Sequence, residues 1–191
     1  MRSSYQSRDK AHKRTSPCCA MQRPIAEEAM VANRMSRMLR HVEKVPSPLR
    51  MRARSLLVGS IVKFVGTARL DIEELTHERA VVFIRNRKPI QNHIGGVHAA
   101  AMALIAETAS GFVVSMNVPD DRVPVIKSMK VNFLKRSKGS MRATAELTRE
   151  QIELISSTPK GEVTPTIVVT DEEGKQPIAC EMIWAWTPKR R

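Results

Sequence analysis

One segment constrains this chain more than any other. A polar loop, Gln91-Asn92-His93-Ile94-Gly95-Gly96, runs directly into the longest predominantly apolar stretch of the sequence, Val97 to Val118. Glu107 is the only formally charged residue between Lys88 and Asp120. The stretch is long enough to suggest a membrane span. A carboxylate at its middle is costly in lipid, however. The reading is therefore a buried helix from Val97 to about Met116, with the rest of a water-exposed domain folded around it.

What surrounds the helix has a period of two. From Thr67, Ala68, Leu70 and Ile72 alternate with Arg69, Asp71 and Glu73, which predicts a half-buried strand. His77–Glu78 makes a turn into a second strand, Ala80 to Ile84, and Arg85 to Gly96 is a polar loop containing Pro89. Beyond the helix, within Val125 to Leu134, Met129, Val131 and Phe133 alternate with Ser128, Lys130 and Asn132. Met141, Ala143, Ala145 and Leu147 repeat the pattern. Gly161 marks a turn, Thr166 to Thr170 is a strand, Asp171–Gly174 is a hairpin signal, and Ile178 to Trp186 is the last strand. Two strands, a helix and four strands imply an α+β domain, an antiparallel sheet wrapped on one helix.

Upstream, residues 25–45 read as an amphipathic helix with Ile25, Ala29, Ala32, Met35, Met38 or Leu39, and Val42 on one face, ended by Pro46 and Pro48. A second helix is expected from Leu49 to Phe64. Residues 1–24 hold six Lys or Arg against Asp9 and show no apolar period, the composition of a disordered tail. A mitochondrial presequence leading to the matrix is the alternative, and Met21 offers a second start. The expected division is a tail (1–24), a helical segment (25–64) and a sheet-and-helix domain (65–188).

Composition bounds the partners. A formal net charge of +13 suits a nucleic acid, a membrane surface or a small polyanion. Near the basic N-terminal region only Tyr5 and Phe64 could stack on bases, so nucleic acid is disfavoured. Cys18, Cys19 and Cys180 show neither zinc spacing nor a disulfide framework. No metal is expected, and no apolar run marks a secretory signal. The expected compartment is reducing and cytoplasmic, without stable membrane insertion.

The loop and helix carry the chemistry. Gly95 and Gly96 allow a tight turn into the helix. Helix N-terminal N–H groups near His98 and Ala99 could receive a developing oxyanion. Glu107, on an apolar helix, should hold its proton more tightly than usual, which suits a general base. The bland alternative is a buried acid bonded to backbone or Ser110. By helix geometry His98 and Glu107, nine residues apart, point in opposite directions, so one helix does not easily present both to one substrate, whereas two antiparallel helices across a dimer interface could.

The segment from Gln91 to Gly111 resembles the hotdog thioesterases of the phenylacetate-pathway type, with their Asn-x-x-Gly-x-x-His-(Gly/Ala) loop and an acid well into the helix. It is closer still to the hotdog group called domain of unknown function 4442, through Phe64–Thr67, Arg85-Asn86-Arg87, and Phe133-Leu134-Lys135-Arg136-Ser137-Lys138-Gly139. The resemblance runs well from Phe64 to Leu147. It implies a hotdog fold and an acyl-coenzyme A thioester as substrate, with coenzyme A present only as part of it and no separate cofactor. It further implies Glu107 as nucleophile or base, Asn92 as the amide that orients water or carbonyl, and a site between the subunits of a homodimer or a dimer of dimers. His98 and Ala99 stand at the oxyanion end, with Ala99 where the family often has Gly. Gly95, Gly96 and Ser110 are assigned to substrate binding. Lys135, Arg136 and Lys138 are assigned to the coenzyme A phosphates, a role for which Arg85, Arg87 and Lys88 compete. The alternative is a hotdog protein that binds acyl-coenzyme A, or scaffolds a complex, without catalysis.

Overall fold

The computed structural model describes residues 32–189. The expected tail, residues 1–24, and the first part of the expected helix lie outside the described residues. Helix α1 (Arg34–Val42) starts where Asn33 caps it, its side chain accepting from the Ser36 N–H. Its buried face is Ser36, Leu39 and Val42, with Met35 and Met38 half-buried. Helices α2 (Ser47–Ile61) and α3 (Lys63–Ala68) follow, broken at Val62, whose backbone is extended. The pair packs through glycine: a Cβ on Gly59 or on Gly66 would lie 3.0 Å from the other's backbone.

The strand expected from Thr67 begins later. Thr67 and Ala68 end α3, Arg69 turns the chain at φ 50, and β1 spans Asp71–Leu75. Ala68, Leu70 and Ile72 are all buried. The alternation thus picked out the residues that face inward, but a helix end also satisfies it. The chain continues through β2 (Arg79–Ile84), a short 3-10 turn at Lys88–Ile90, α4 (Ala99–Ser115), β3 (Arg122–Phe133), β4 (Met141–Glu146), α5 (Arg149–Ser157), β5 (Gly161–Val163), β6 (Thr166–Asp171) and β7 (Ile178–Pro188). Five strands follow α4 rather than four, because Gly161 opens a strand where a turn was expected.

All pairings are antiparallel. One sheet has the order β1-β2-β4-β6 and the other β3-β7-β5. Beyond the Asp171–Gly174 turn β7 lies against β6, and both sheets wrap α4. This is the α+β hotdog arrangement, with the N-terminal helices added outside it. Ile105, Ala109 and Val113, four residues apart on α4, are fully buried with Val82, Ala143 and Ala145 in one core. The alanines of β4 let the helix approach closely. Trp184 of β7 packs so near Gly111 that a Cβ there would lie 2.6 Å from the ring.

The chain brackets α4 at its far end. Asn33 Nδ2 donates to the carbonyls of Ser115, Met116 and Val118 at 2.8–3.1 Å. Asn117 Nδ2 donates to the carbonyls of His77 and Val113. The bonds to Val113, Ser115 and Met116 satisfy carbonyls that a helix C-terminus leaves open. Among the described residues no helix is long and apolar enough to cross a membrane.

Candidate functional site

The loop before α4 is built by Asn92. Its Oδ1 accepts from the N–H groups of Ile94 and Gly96 at 3.1 and 3.0 Å, and its own N–H donates to the Gly96 carbonyl. Gly95 sits at φ 79, a conformation glycine takes without strain. Gly96 is close to the basic loop: Asn92 Nδ2, the Ser137 carbonyl and the Ser137 hydroxyl each lie 3.6 Å from where its Cβ would be. The loop therefore uses the oxygen of Asn92 and leaves its Nδ2 on the Ser137 side.

A residue not singled out as functional, Asn86, ties this region together. Its Nδ2 donates to the Gly95 carbonyl, its Oδ1 accepts from Gln91, and its N–H reaches the Ser140 hydroxyl. Its place between Arg85 and Arg87 gave no periodic signal. Its contact with Gly95, nine positions away, forms only in the fold.

His98 is the N-cap of α4. Its Nδ1 accepts from the Ala100 N–H at 3.1 Å, which assigns any neutral-ring proton to Nε2, and its backbone N–H donates to the Ile90 carbonyl. It lies outside the helical turn, so a helical wheel does not give its direction. The groups are instead separated along the axis: Ala99 to Glu107 is roughly 12 Å at 1.5 Å per residue. The Ala101 N–H donates to His98, which leaves the Ala99 N–H as the first-turn donor with no partner among the described residues.

Glu107 is half-buried and forms no salt bridge among the described residues. Its Oε2 accepts a long, 3.4 Å hydrogen bond from Thr108. Burial raises its pKa above the ordinary glutamate value, and the Thr108 bond offsets this only in part. It lines a pocket of about 180 Å³ with Val62, Val65, Thr108, Phe112 and Trp184. Around it on α4, Ala99, Ala100, Ala103 and Leu104 are exposed or half-buried.

The other sequence-assigned residues are distributed as follows. Ser110 is fully buried, donates to the Ala106 carbonyl and accepts from the Trp184 indole at 3.0 Å, so its hydroxyl lies within the helix–sheet packing. Lys135 and Arg136 are exposed beside the Gly96 loop and pair with no acid among the described residues. Lys138 pairs with Glu173 at 2.7 Å. Arg87 donates to the Ala68 carbonyl. Burial pushes the Cys180 thiol up to about 11, which leaves it protonated at neutral pH. Among the described residues no three His, Cys, Asp or Glu side chains gather as a metal site requires.

Comparisons with known proteins fit this architecture. The model of the family described as "Domain of unknown function (DUF4442)" matches residues 50–186. Comparison with curated proteins finds no match. Among solved structures the chain is similar to a Pseudomonas aeruginosa protein of unknown function described as a "Probable Thioesterase". The identity is 23% and the TM-score 0.65, with 76% of this chain and 97% of that one covered. It is also similar to a thioesterase from Haemophilus influenzae (16% identity, TM-score 0.54, 65% and 82% covered). A third is a thioesterase family protein from Silicibacter pomeroyi (13%, 0.56, 73% and 99%). At these identities the likeness is one of fold.

Proposed function

The chain belongs to the DUF4442 family of hotdog proteins, and from that premise we propose that it hydrolyses acyl-coenzyme A thioesters. The observation that carries the proposal is Glu107: a carboxylate with no cationic partner among the described residues, its pKa raised by burial, lining a largely apolar pocket. Such a group accepts a proton from water near neutral pH better than an ordinary glutamate. Water then attacks the thioester carbonyl carbon and the carbon–sulfur bond breaks. The thiolate leaves and takes up a proton, giving the free acid and coenzyme A. The Ala99 N–H, without a partner among the described residues at the positive end of α4, supports an oxyanion position. The thioesterase descriptions of the structural neighbours support the reaction class.

One subunit holds these two groups roughly 12 Å apart on one helix. The working unit is therefore a homodimer or a dimer of dimers, in which one subunit's Glu107 faces its partner's helix N-terminus. The edge strand β3 supports this. Among the described residues its outer edge has no strand partner, and Val125, Ile126, Met129 and Phe133 are exposed along it. A long apolar edge of this kind calls for cover. In this reading Lys135 and Arg136, adjoining Ser137 beside the Gly96 loop, meet the phosphates of coenzyme A.

A second reading rests on Asn92, whose amide oxygen is engaged by its own loop, and on Ala99. In it the same groove binds acyl-coenzyme A without cleaving it. A panel of acyl-coenzyme A esters, with release of free thiol measured for the protein and for Glu107→Ala, separates the two. Hydrolysis of at least one ester, reduced about a thousandfold in Glu107→Ala, is expected. Turnover on none counts against catalysis, turnover indifferent to the substitution removes Glu107 from the reaction, and tight binding without turnover selects the second reading.

A further inference from the structure

The helical pair α2–α3 carries a surface that the hotdog domain does not use. From Lys44 to Leu70 the sequence contains no Asp or Glu. Arg50 and Arg54 pair with Glu43, but Arg52, Lys63 and Arg69 pair with no acid among the described residues. The same stretch exposes large apolar side chains, Leu49 at 52%, Leu56 at 75% and Phe64 at 64%. On α2 the residues Leu49, Arg52, Leu56 and Ser60 fall within an arc of about 80°, opposite the fully buried Val58. The stripe therefore faces away from the core. Beside it the Gly59–Gly66 contact leaves an open groove of about 500 Å³, whose lining includes Leu56, Arg52 and Arg69 against one acid, Asp71.

We propose that α2–α3 docks this protein on an anionic lipid surface, with Leu56, Leu49 and Phe64 entering the apolar boundary and Arg52, Lys63 and Arg69 meeting lipid phosphates. Exposed apolar side chains beside cations that have no acidic partner among the described residues combine the two attractions that hold a protein at an anionic bilayer surface, apolar burial and charge. An anionic leaflet attracts basic residues while its acyl boundary accepts leucine. Charge argues against two other occupants. The basic residues 1–24 carry the same sign, and a second copy meeting this face about a twofold axis would bring the same cations with it. The protruding side chains are mainly aliphatic, and Phe64 alone offers a base a ring to stack on, which disfavours nucleic acid.

Sedimentation of the full chain with vesicles provides the test. Vesicles of phosphatidylcholine alone are compared with vesicles of phosphatidylcholine and phosphatidylglycerol in equal parts, and an unlabelled duplex DNA serves as competitor. The expected result is binding to the mixed vesicles only, weakened about fivefold by each of Arg52→Gln and Lys63→Gln. Leu56→Ser is expected to weaken it about tenfold. All three residues are exposed, so thermal melts of the variants should match that of the parent. Absence of binding to the anionic vesicles, equal binding to neutral ones, or variants that bind like the parent would overturn the proposal. So would DNA displacing the protein from vesicles while binding the variants less well. None of these outcomes depends on thioester turnover, so the hydrolytic reading stands or falls separately.

Discussion

Helix α4 has two halves of similar apolar content and opposite fates. From Ala109 to Val114 every residue is buried. That half is held by the Trp184–Ser110 bond, by the contact of the Trp184 ring with Gly111, and by the amides of Asn33 and Asn117. From Ala99 to Glu107 one side stays open: Ala99 and Ala100 are exposed, and Ala103, Leu104 and Glu107 are only partly covered. Hydrophobicity alone does not separate these halves. The partner surface does, because β7 lays an indole across one half, whereas on the other Ala99, Ala100, Ala103 and Leu104 are left partly or wholly open by the described residues and Glu107, at the junction, shares a pocket with Val62, Val65 and Trp184. In the proposed function the open half is the side that a thioester and a second subunit occupy.

The contrast can be broken from the sealed side. Gly111→Val would push a branched side chain into the Trp184 ring and should cost about 3 kcal/mol or more in unfolding free energy. A denaturant midpoint equal to that of the parent would show that the indole is free to move and the half is not sealed. Ser110→Ala is the milder form. It leaves the Trp184 N–H buried without its acceptor and should cost about 1 kcal/mol, with thioester turnover per folded molecule unchanged. A loss of turnover larger than the loss of stability would move Ser110 from packing into the site.

The sheet-and-helix core was legible because its residues obey one period each. Met141, Ala143 and Ala145 alternate in sequence and are buried in β4. Met129 and Phe133 alternate in β3 just as cleanly, yet they are 50% and 56% exposed, since periodicity reports a strand and not whether its face is covered. Helix α5 escaped notice because it is short, although its capping box, Thr148 with Gln151, stands in the sequence. At the site, Glu107 could be found from its isolation among apolar residues. The engagement of the Asn92 oxygen and the cap formed by His98 depend on loop dihedrals that no pattern encodes. Asn33 was unreadable for a related reason: its three carbonyl partners lie more than eighty positions away.

The smallest expected effect sharpens the comparison from the open side, through the pH dependence of stability. The folded chain holds the Glu107 proton above the pH at which the unfolded chain releases it, because burial raises the folded pKa. In that window the folded state binds more protons. Stability contributed by this residue is therefore fully present below the ordinary glutamate pKa and is lost as pH rises through the raised one. Exposed acids such as Asp120 and Glu173 have lowered pKa values and act in the opposite direction, so the overall profile hides the effect. The difference between the parent and Glu107→Gln isolates it. The substitution should leave the other acids' contributions in place and remove the decline, making the variant at least as stable as the parent at neutral pH while inactive as a hydrolase. A Glu107→Gln chain less stable than the parent at neutral pH would mean that the ionised carboxylate is held by a favourable contact. The open half of α4 would then be closed by a structural bond and not kept for chemistry.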